Sequence, residues 1–309
     1  MPLTATDLCA RLARTALVAC GLLVAGGAQA LTVMTCEPEW AALVRQLAPA
    51  AQVRSATHAR QDPHHIEARP SLIAQVRNAD LVVCTGAGLE EGWLPVLLQR
   101  AGNPRVRAGA PGLFLAADHA VLIDPRAAAG PFAGDVHAAG NPHLHLDPRR
   151  LQQVAAALGQ RLAQVDPAQA ETYRAQSARF QSDWSARIAR WEQRAAPLRG
   201  LRVAGQHTTF AYLWRWLGVE QVVDLEPKPG VAPTPGHLQA VLGALRDAPP
   251  RAMVVAWYQD PRSAQWFTRQ LAGRTPLLQL PATVADEAPA DSLPALFDFL
   301  IDQLLGTAR

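Results

Sequence analysis

Residues 166–196, DPAQAETYRAQSARFQSDWSARIARWEQRAA, decide the fold of this chain. Asp166-Pro167-Ala168-Gln169 has the form of a strong helix start: a capping aspartate, proline at the first helical position, and glutamine three residues after the cap. Tyr173, Phe180, Trp184, Ile188 and Trp191 then recur at intervals of seven, four, four and three. That is one apolar stripe on a helix running to about Ala195, before Pro197. A helix this long in mid-chain joins two units rigidly, so the segments on either side are read as two lobes.

Both flanks alternate strand and helix. Upstream, Leu31 to Cys36, Gln52 to Ala56 and Asp80 to Cys84 are short strand candidates. Between them lie helices from Glu39 to Leu47, with Trp40, Leu43, Val44 and Leu47 on one face, and from Ser71 to Asn78, capped by Ser71. Trp93 to Ala101 is a third helix. Gly102 to Gly140 is rich in Gly, Pro and Ala and reads as irregular, with strand candidates near Phe114 and Val121. Asp147-Pro148 opens a helix through Val165. Downstream, Leu201 to Gly205, Gln221 to Leu225, Ala252 to Ala256 and Leu277 to Leu280 are strands. The helices there are Phe210 to Leu217, His237 to Arg246, Ser263 to Leu271 and Leu293 to Leu305. Strands alternating with helices imply parallel pairing. The expected architecture is α/β, two lobes with parallel sheets joined by one long rigid helix: 31–165, 166–196 and 197–309.

Composition agrees. Of 309 residues, 49% are hydrophobic and 18% charged, which excludes a disordered tail or a disulfide-stapled miniprotein. The net charge of +3 is spread along the chain, with Lys228 the only lysine. No basic block marks a nucleic-acid footprint. Residues 1–30 read as a signal peptide: Arg11 and Arg14, an apolar run from Ala16 to Ala28, then Ala28-Gln29-Ala30 for cleavage near Ala30. Leu17-Val18-Ala19-Cys20 also fits a lipobox, but the apolar run would then fall mostly after the cleavage point. Export to an oxidising compartment leaves Cys36 and Cys84 in the mature chain. Each ends a predicted strand, so they pair if those strands are neighbours; otherwise they are two buried thiols. No Cys-x-x-Cys zinc pair exists.

The histidines carry the functional signal. In parallel α/β sheets, ligands bind beyond the carboxyl ends of strands. His207 directly follows a strand. His64 lies in the Asp62-Pro63-His64-His65 loop and His143 in Asn141-Pro142-His143-Leu144-His145, where proline stiffens the backbone. Pre-positioned imidazoles are metal ligands. His137, six residues before His143, is also within reach. His65 and His145 are placed to orient a ligand or a carboxylate. His58, His119 and His237 lack this context.

These segments resemble the zinc/manganese solute-binding proteins that deliver metal to ABC importers. The resemblance is carried by Gln61 to Ser71, Asn78 to Glu90, Asn141 to Pro148 and Gln206 to Leu213, and covers essentially the whole mature chain. It implies a periplasmic metal receptor, monomeric, with an importer permease as partner and with a periplasmic zinc chaperone as a further one. It implies ligands His64, His143 and His207 and a fourth, usually an aspartate ending a late strand. Here that strand runs into Leu280-Pro281-Ala282 without a carboxylate. Asp286 is the first choice, with Glu287, Asp291 and His137 as alternatives. Three imidazoles plus one oxygen suit Zn(II); Mn(II) favours more oxygen, and Cu(II) or Ni(II) binds such donors as well.

Two other classes stand beside this one, the first on a motif and the second on the resemblance alone. His143-Leu144-His145-Leu146-Asp147 is similar to the His-x-His-x-Asp-His signature of metallo-β-lactamase-type zinc hydrolases, but Pro148 replaces the last histidine. Some related proteins act as surface adhesins. Gly86-Ala87-Gly88-Leu89-Glu90-Glu91-Gly92 is not a dinucleotide loop, since Glu90 and Glu91 repel phosphate. No nucleophile motif is present, so the chain is read as a receptor rather than an enzyme.

Overall fold

The computed structural model describes residues 30–126, 134–271 and 273–308. The expected signal segment with Cys20 therefore lies outside the described residues, save Ala30, as does part of the irregular region before Gly140.

Two four-stranded parallel sheets form the frame. In the first, β1 (Thr32–Thr35), β2 (Gln52–Ser55), β3 (Leu81–Cys84) and β4 (Leu113–Leu115) run in the order β2-β1-β3-β4. The second repeats the order as β6-β5-β7-β8, from β5 (Arg202–Gly205), β6 (Glu220–Asp224), β7 (Ala252–Ala256) and β8 (Leu277–Leu280). Around the first lie α1 (Pro38–Leu47), α2 (Pro70–Asn78) and α3 (Leu94–Ala101). Then come α4 (Pro148–Val165) and the long α5 (Ala170–Arg194). The second sheet carries α6 (Ala211–Leu217), α7 (Pro235–Leu245), α8 (Arg262–Gln270) and α9 (Leu293–Thr307).

The central strands β3 and β7 are apolar and buried throughout, because the middle of a parallel sheet is covered on both faces. With a period of two, Val33, Leu81 and Val83 turn inward and Met34, Val82 and Cys84 turn outward against α2 and α3. In the second sheet Val203, Val254 and Ala256 face inward, and Ala204, Met253 and Val255 face α7 and α8. The inward faces of both sheets share one continuous core. α5 is its spine: Trp184 packs on Phe180, Trp191 and Phe297, and Trp191 Nε1 donates to Asp298 on α9 (2.8 Å). The predicted stripe Tyr173, Phe180, Trp184, Ile188 and Trp191 is buried as a set.

Local details differ from the sequence expectation. Residues 167–169 form a tighter turn, and Asp166 accepts a hydrogen bond from the Tyr173 hydroxyl (2.7 Å) instead of capping amides. Ser71 caps nothing, because the preceding Pro70 already occupies the first helical position. A strand forms at Phe114 but not at Val121, which is exposed. Cys36 and Cys84 are disulfide-bonded on the outer face of the first sheet, with Cα atoms 4.8 Å apart.

Candidate metal centre

The carboxyl ends of both sheets open on one cluster of imidazoles. After β2 the chain enters the Asp62-Pro63-His64 turn. Asp62 Oδ1 accepts from the backbone N–H of His64 (3.0 Å) and from its Nδ1 (2.7 Å). Pro63 O accepts from the indole of buried Trp93 (2.9 Å), which anchors the loop. With Nδ1 donating to a carboxylate, His64 Nε2 is left with a free lone pair. Burial alone would raise the Asp62 pKa, but its hydrogen bond to His64 and that ring's charge outweigh burial and hold it below the usual value.

His143 is fixed from its own backbone. Asn141 Oδ1 accepts from His143 N (2.9 Å), and Asn141 Nδ2 donates to Thr208 O (2.9 Å), one residue past His207. His207 emerges two residues after β5, and its Nδ1 donates to Glu226 Oε2 (2.7 Å). Ligand nitrogens of His64, His143 and His207 lie within 4.8 Å of one another, and all three rings are buried. His143 Nε2 is inaccessible to solvent and has no hydrogen-bond partner. A buried orphan of this kind costs about 1–3 kcal/mol unless something meets it. A cation between three lone pairs is the simplest partner, so the residues present fit a metal ion as cargo.

His137 brings a further nitrogen beside His64, outside the trio whose ligand atoms all lie within 4.8 Å of one another. Its Nε2 stands 3.2 Å from His64 Nε2 and the two rings stack. A tetrahedral zinc with Zn–N of about 2.0–2.1 Å has N···N edges of roughly 3.3 Å. Gly88 makes room: a Cβ there would lie 3.2 Å from His137 Nδ1.

Electrostatics favour a cation. Burial, then the neighbouring imidazoles, push the His143 pKa well below its ordinary value and that of His137 down to about 4. Both rings are therefore neutral and ready to ligate. His207 goes the other way: burial opposes its charge, but the hydrogen bond and charge of Glu226 raise its pKa. Asp62 and Glu226, each bonded to the ring of one of these histidines, would offset the charge of a divalent ion held there. A cavity of about 270 Å³ leads to His64 and His207 and is rimmed by Asp62, Asp135, Glu226 and Asp260.

The remaining histidines and acids stand elsewhere. His65 is exposed, 4.0 Å from Asp135. His145 turns away from the cluster: its Nε2 donates to Ala282 O (2.7 Å) and its Nδ1 lies 3.0 Å from Glu39. The His143-x-His145 pair thus does not converge on one ion, which removes the geometric basis of the hydrolase reading. Asp286 and Asp291 line a separate cavity of about 410 Å³ with Arg45 and Ser55. Asp286 and Glu287 sit on the exposed tip of a loop closed by Ala285 N to Ala290 O (2.7 Å), so the structure does not bring Asp286 to the histidines. Sequence reasoning misses Asp62 and Glu226. Asp62 has a readable signal in the Asp-Pro-His turn, whereas Glu226 has none, being 19 residues from the ring it holds.

Two like sheets facing a buried imidazole cluster define a two-lobed solute-binding protein. The chain belongs to the ZnuA family, zinc-uptake complex component A, periplasmic, whose model matches residues 33–305. A crystal structure of ZnuA superposes with a TM-score of 0.75 at 19% identity, covering 91% of this chain and 100% of that one. A cadmium-bound periplasmic metal-binding protein from Candidatus Liberibacter asiaticus gives 0.71 at 15% identity, over 90% and 100% of the two chains. A laminin-binding adhesin from Streptococcus agalactiae, in mutant form, gives 0.68 at 18%, over 89% and 99%. Zinc-bound and manganese-bound proteins also stand among the similar structures. At these identities the likeness is one of fold. The comparison with curated proteins finds no match.

Proposed function

We propose that the mature chain, from about Leu31, is a periplasmic receptor that captures Zn(II) between its lobes and delivers it to the permease of an ABC importer. His64, His143 and His207 are the ligands, and His137 takes the fourth position in place of Asp286. The observation that carries this reading is His143 Nε2, buried and unpartnered in a trio of imidazoles whose ligand nitrogens lie within 4.8 Å of one another. Four nitrogens with no directly ligating carboxylate favour zinc over manganese, which prefers oxygen; copper and nickel compete by affinity.

Capture releases protons, because a ligating imidazole must be neutral. His143 and His137 are already deprotonated at neutral pH, so His207 is where acid competes with metal. The long helix α5, packed along α4 and into the shared core, restricts hinge motion. Loading then proceeds by ordering of loops at the site rather than wide closure. Metal content and competition titration of Leu31–Arg309, beside a His64→Ala, His143→Ala double variant, test the reading. One zinc per chain, lost in the variant, is expected. Equal metal in both proteins would refute the ligand set.

A further inference from the structure

Glu226 does more than orient His207. The oxygen that accepts from His207 Nδ1 (2.7 Å) also accepts from the backbone N–H of Gly230 (2.8 Å). Gly230 is in the left-handed region, at φ +73°. A Cβ there would collide with Asp135 Oδ2. Asp135 belongs to the segment carrying His137, and its backbone N–H donates to Pro229 O (2.9 Å). From the other side Gly134, at φ +70°, lies so close that a Cβ would collide with Pro229 O. Loops from the two halves of the chain therefore interlock through paired glycines, Gly134 in the segment of His137 and Gly230 in that of Glu226.

We infer that Glu226 is a positioning residue that ties His207 to the segment bearing His137, through Gly230 and the Pro229–Asp135 bond. Metal held by His207 is thereby locked by the same contact that seats His137 over His64. The retention time of the ion is set by the interlock rather than by the ligands alone. This rests on the ligand set proposed above and adds to it the device that governs release. A partner that drew residues 226–230 away from 134–137 would free one ligand and loosen another in a single movement.

Zinc dissociation into excess chelator, followed by stopped flow on the mature chain, tests this. Gly134→Ala removes the interlock without touching any side chain at the metal. It should speed release about tenfold and leave association within about twofold, the size of effect typical for groups that orient ligands. In a His137→Ala background the same change should speed release by clearly less, because only the hold on His207 is then left to loosen. Glu226→Ala should also speed release, and combined with Gly134→Ala the two effects should fall short of their product. Glu226→Gln, which keeps an accepting oxygen, should restore most of the retention. Should Gly134→Ala not fold, Gly230→Ala reaches the same contact from the other side, its Cβ meeting the Asp135 side chain and, at 3.2 Å, the Asp135 amide nitrogen. An unchanged release rate, or a Gly134→Ala effect that persists in full without His137, would overturn the interlock while leaving the receptor reading intact. A wild-type chain that binds no zinc would end both.

Discussion

β1 and β5 are equivalent strands, yet the residues just beyond them take opposite roles. Both are the second strand of a parallel sheet of the same order. In each, the residue after the strand bonds the equivalent neighbour: Cys36 N to Val83 O and Gln206 N to Val254 O. The next residue is Glu37 in one half and His207 in the other. His207 turns into the cleft and is poised by Glu226. Glu37 turns into the protein, where its Oε2 accepts from the Thr85 hydroxyl (3.0 Å) and its Oε1 is buried without a partner. Burial first, then repulsion from Glu90 and Glu39, raises the Glu37 pKa well above the usual carboxylate value. Burial also raises Glu90 to about 7. Glu90 in turn accepts from the amides of Thr85 and Gly86, shaping the turn that leads to Gly88 and His137. The first half thus commits its strand end to structure, with a disulfide and a buried pair of acids. It sends His64, the proposed ligand, from a loop instead. Topology decides where side chains emerge, and residue chemistry decides whether that place is a ligand or a brace.

The strongest test of this division exchanges a ligand for a brace. His143→Ala removes the orphaned nitrogen at the centre of the cluster. Structural zinc sites hold about 10–16 kcal/mol over four ligands, so its loss should weaken zinc by at least about a hundredfold in competition titration. His145→Ala, two residues on, should leave zinc affinity near the wild-type value. It should instead lower the melting temperature, because the Ala282 carbonyl and Glu39 lose a buried partner at about 1–3 kcal/mol. Equal loss of zinc in both variants would break the distinction.

Opening the disulfide probes the brace directly. Cys36 and Cys84 are 48 residues apart in sequence, and the second sheet has no counterpart among the described residues. A Cys36→Ser, Cys84→Ser variant should lose roughly 2–4 kcal/mol of stability by denaturant unfolding. Zinc affinity should be retained, because neither sulfur lies among the ligands. A loss of affinity with unchanged stability would put the disulfide in the site.

The two strand ends should also respond oppositely to pH. Glu90 titrates near 7 folded against an ordinary 4.5, so the folded chain binds more protons between those values. Its contribution is complete below about pH 4.5 and is lost as pH rises through about 7, with a cost of about 3 kcal/mol. Glu37 is raised as well, chiefly by its own burial, and steepens the same slope, so Glu37→Gln should flatten it in metal-free unfolding curves. At the other strand end, zinc affinity should fall as pH drops through the His207 pKa, which Glu226 sets above the ordinary imidazole value. If Glu37→Gln leaves the unfolding slope unchanged, the acid pair is not the brace described.

Much of this architecture is legible in the amino-acid sequence. Both sheets are readable because their central strands, buried on two faces, are short apolar runs, and observed strand limits fall within one or two residues of the expected ones. Proline-stiffened loops and a strand end mark His64, His143 and His207. Two things are not readable. Side chains that orient a ligand, such as Glu226, are neighbours only after β5 and β6 pair. The path of a loop after its strand is set by packing: Ala282 meets His145, and Val284 and Ala285 then lead toward α1, so the acids beyond them are carried off to the Arg45 cavity.

That path yields the smallest expected effect and the sharpest choice between donors. Asp286→Ala alters an exposed carboxylate in a separate cavity, and surface substitutions of this kind stay within about 0.5 kcal/mol. Zinc affinity should therefore change by no more than about twofold. His137→Ala should weaken zinc about tenfold, because the site then falls back on three imidazoles and solvent. Nitrogen and oxygen donors scatter similarly in X-ray absorption, but ring imidazoles add outer-shell features that a carboxylate lacks. Loss of one imidazole's share of those features in His137→Ala, and none in Asp286→Ala, would place the fourth ligand on the interlocked segment. The reverse pattern would mean that the loop after β8 swings some distance to reach the metal, and that the second half contributes two ligands where the first keeps its acids as braces.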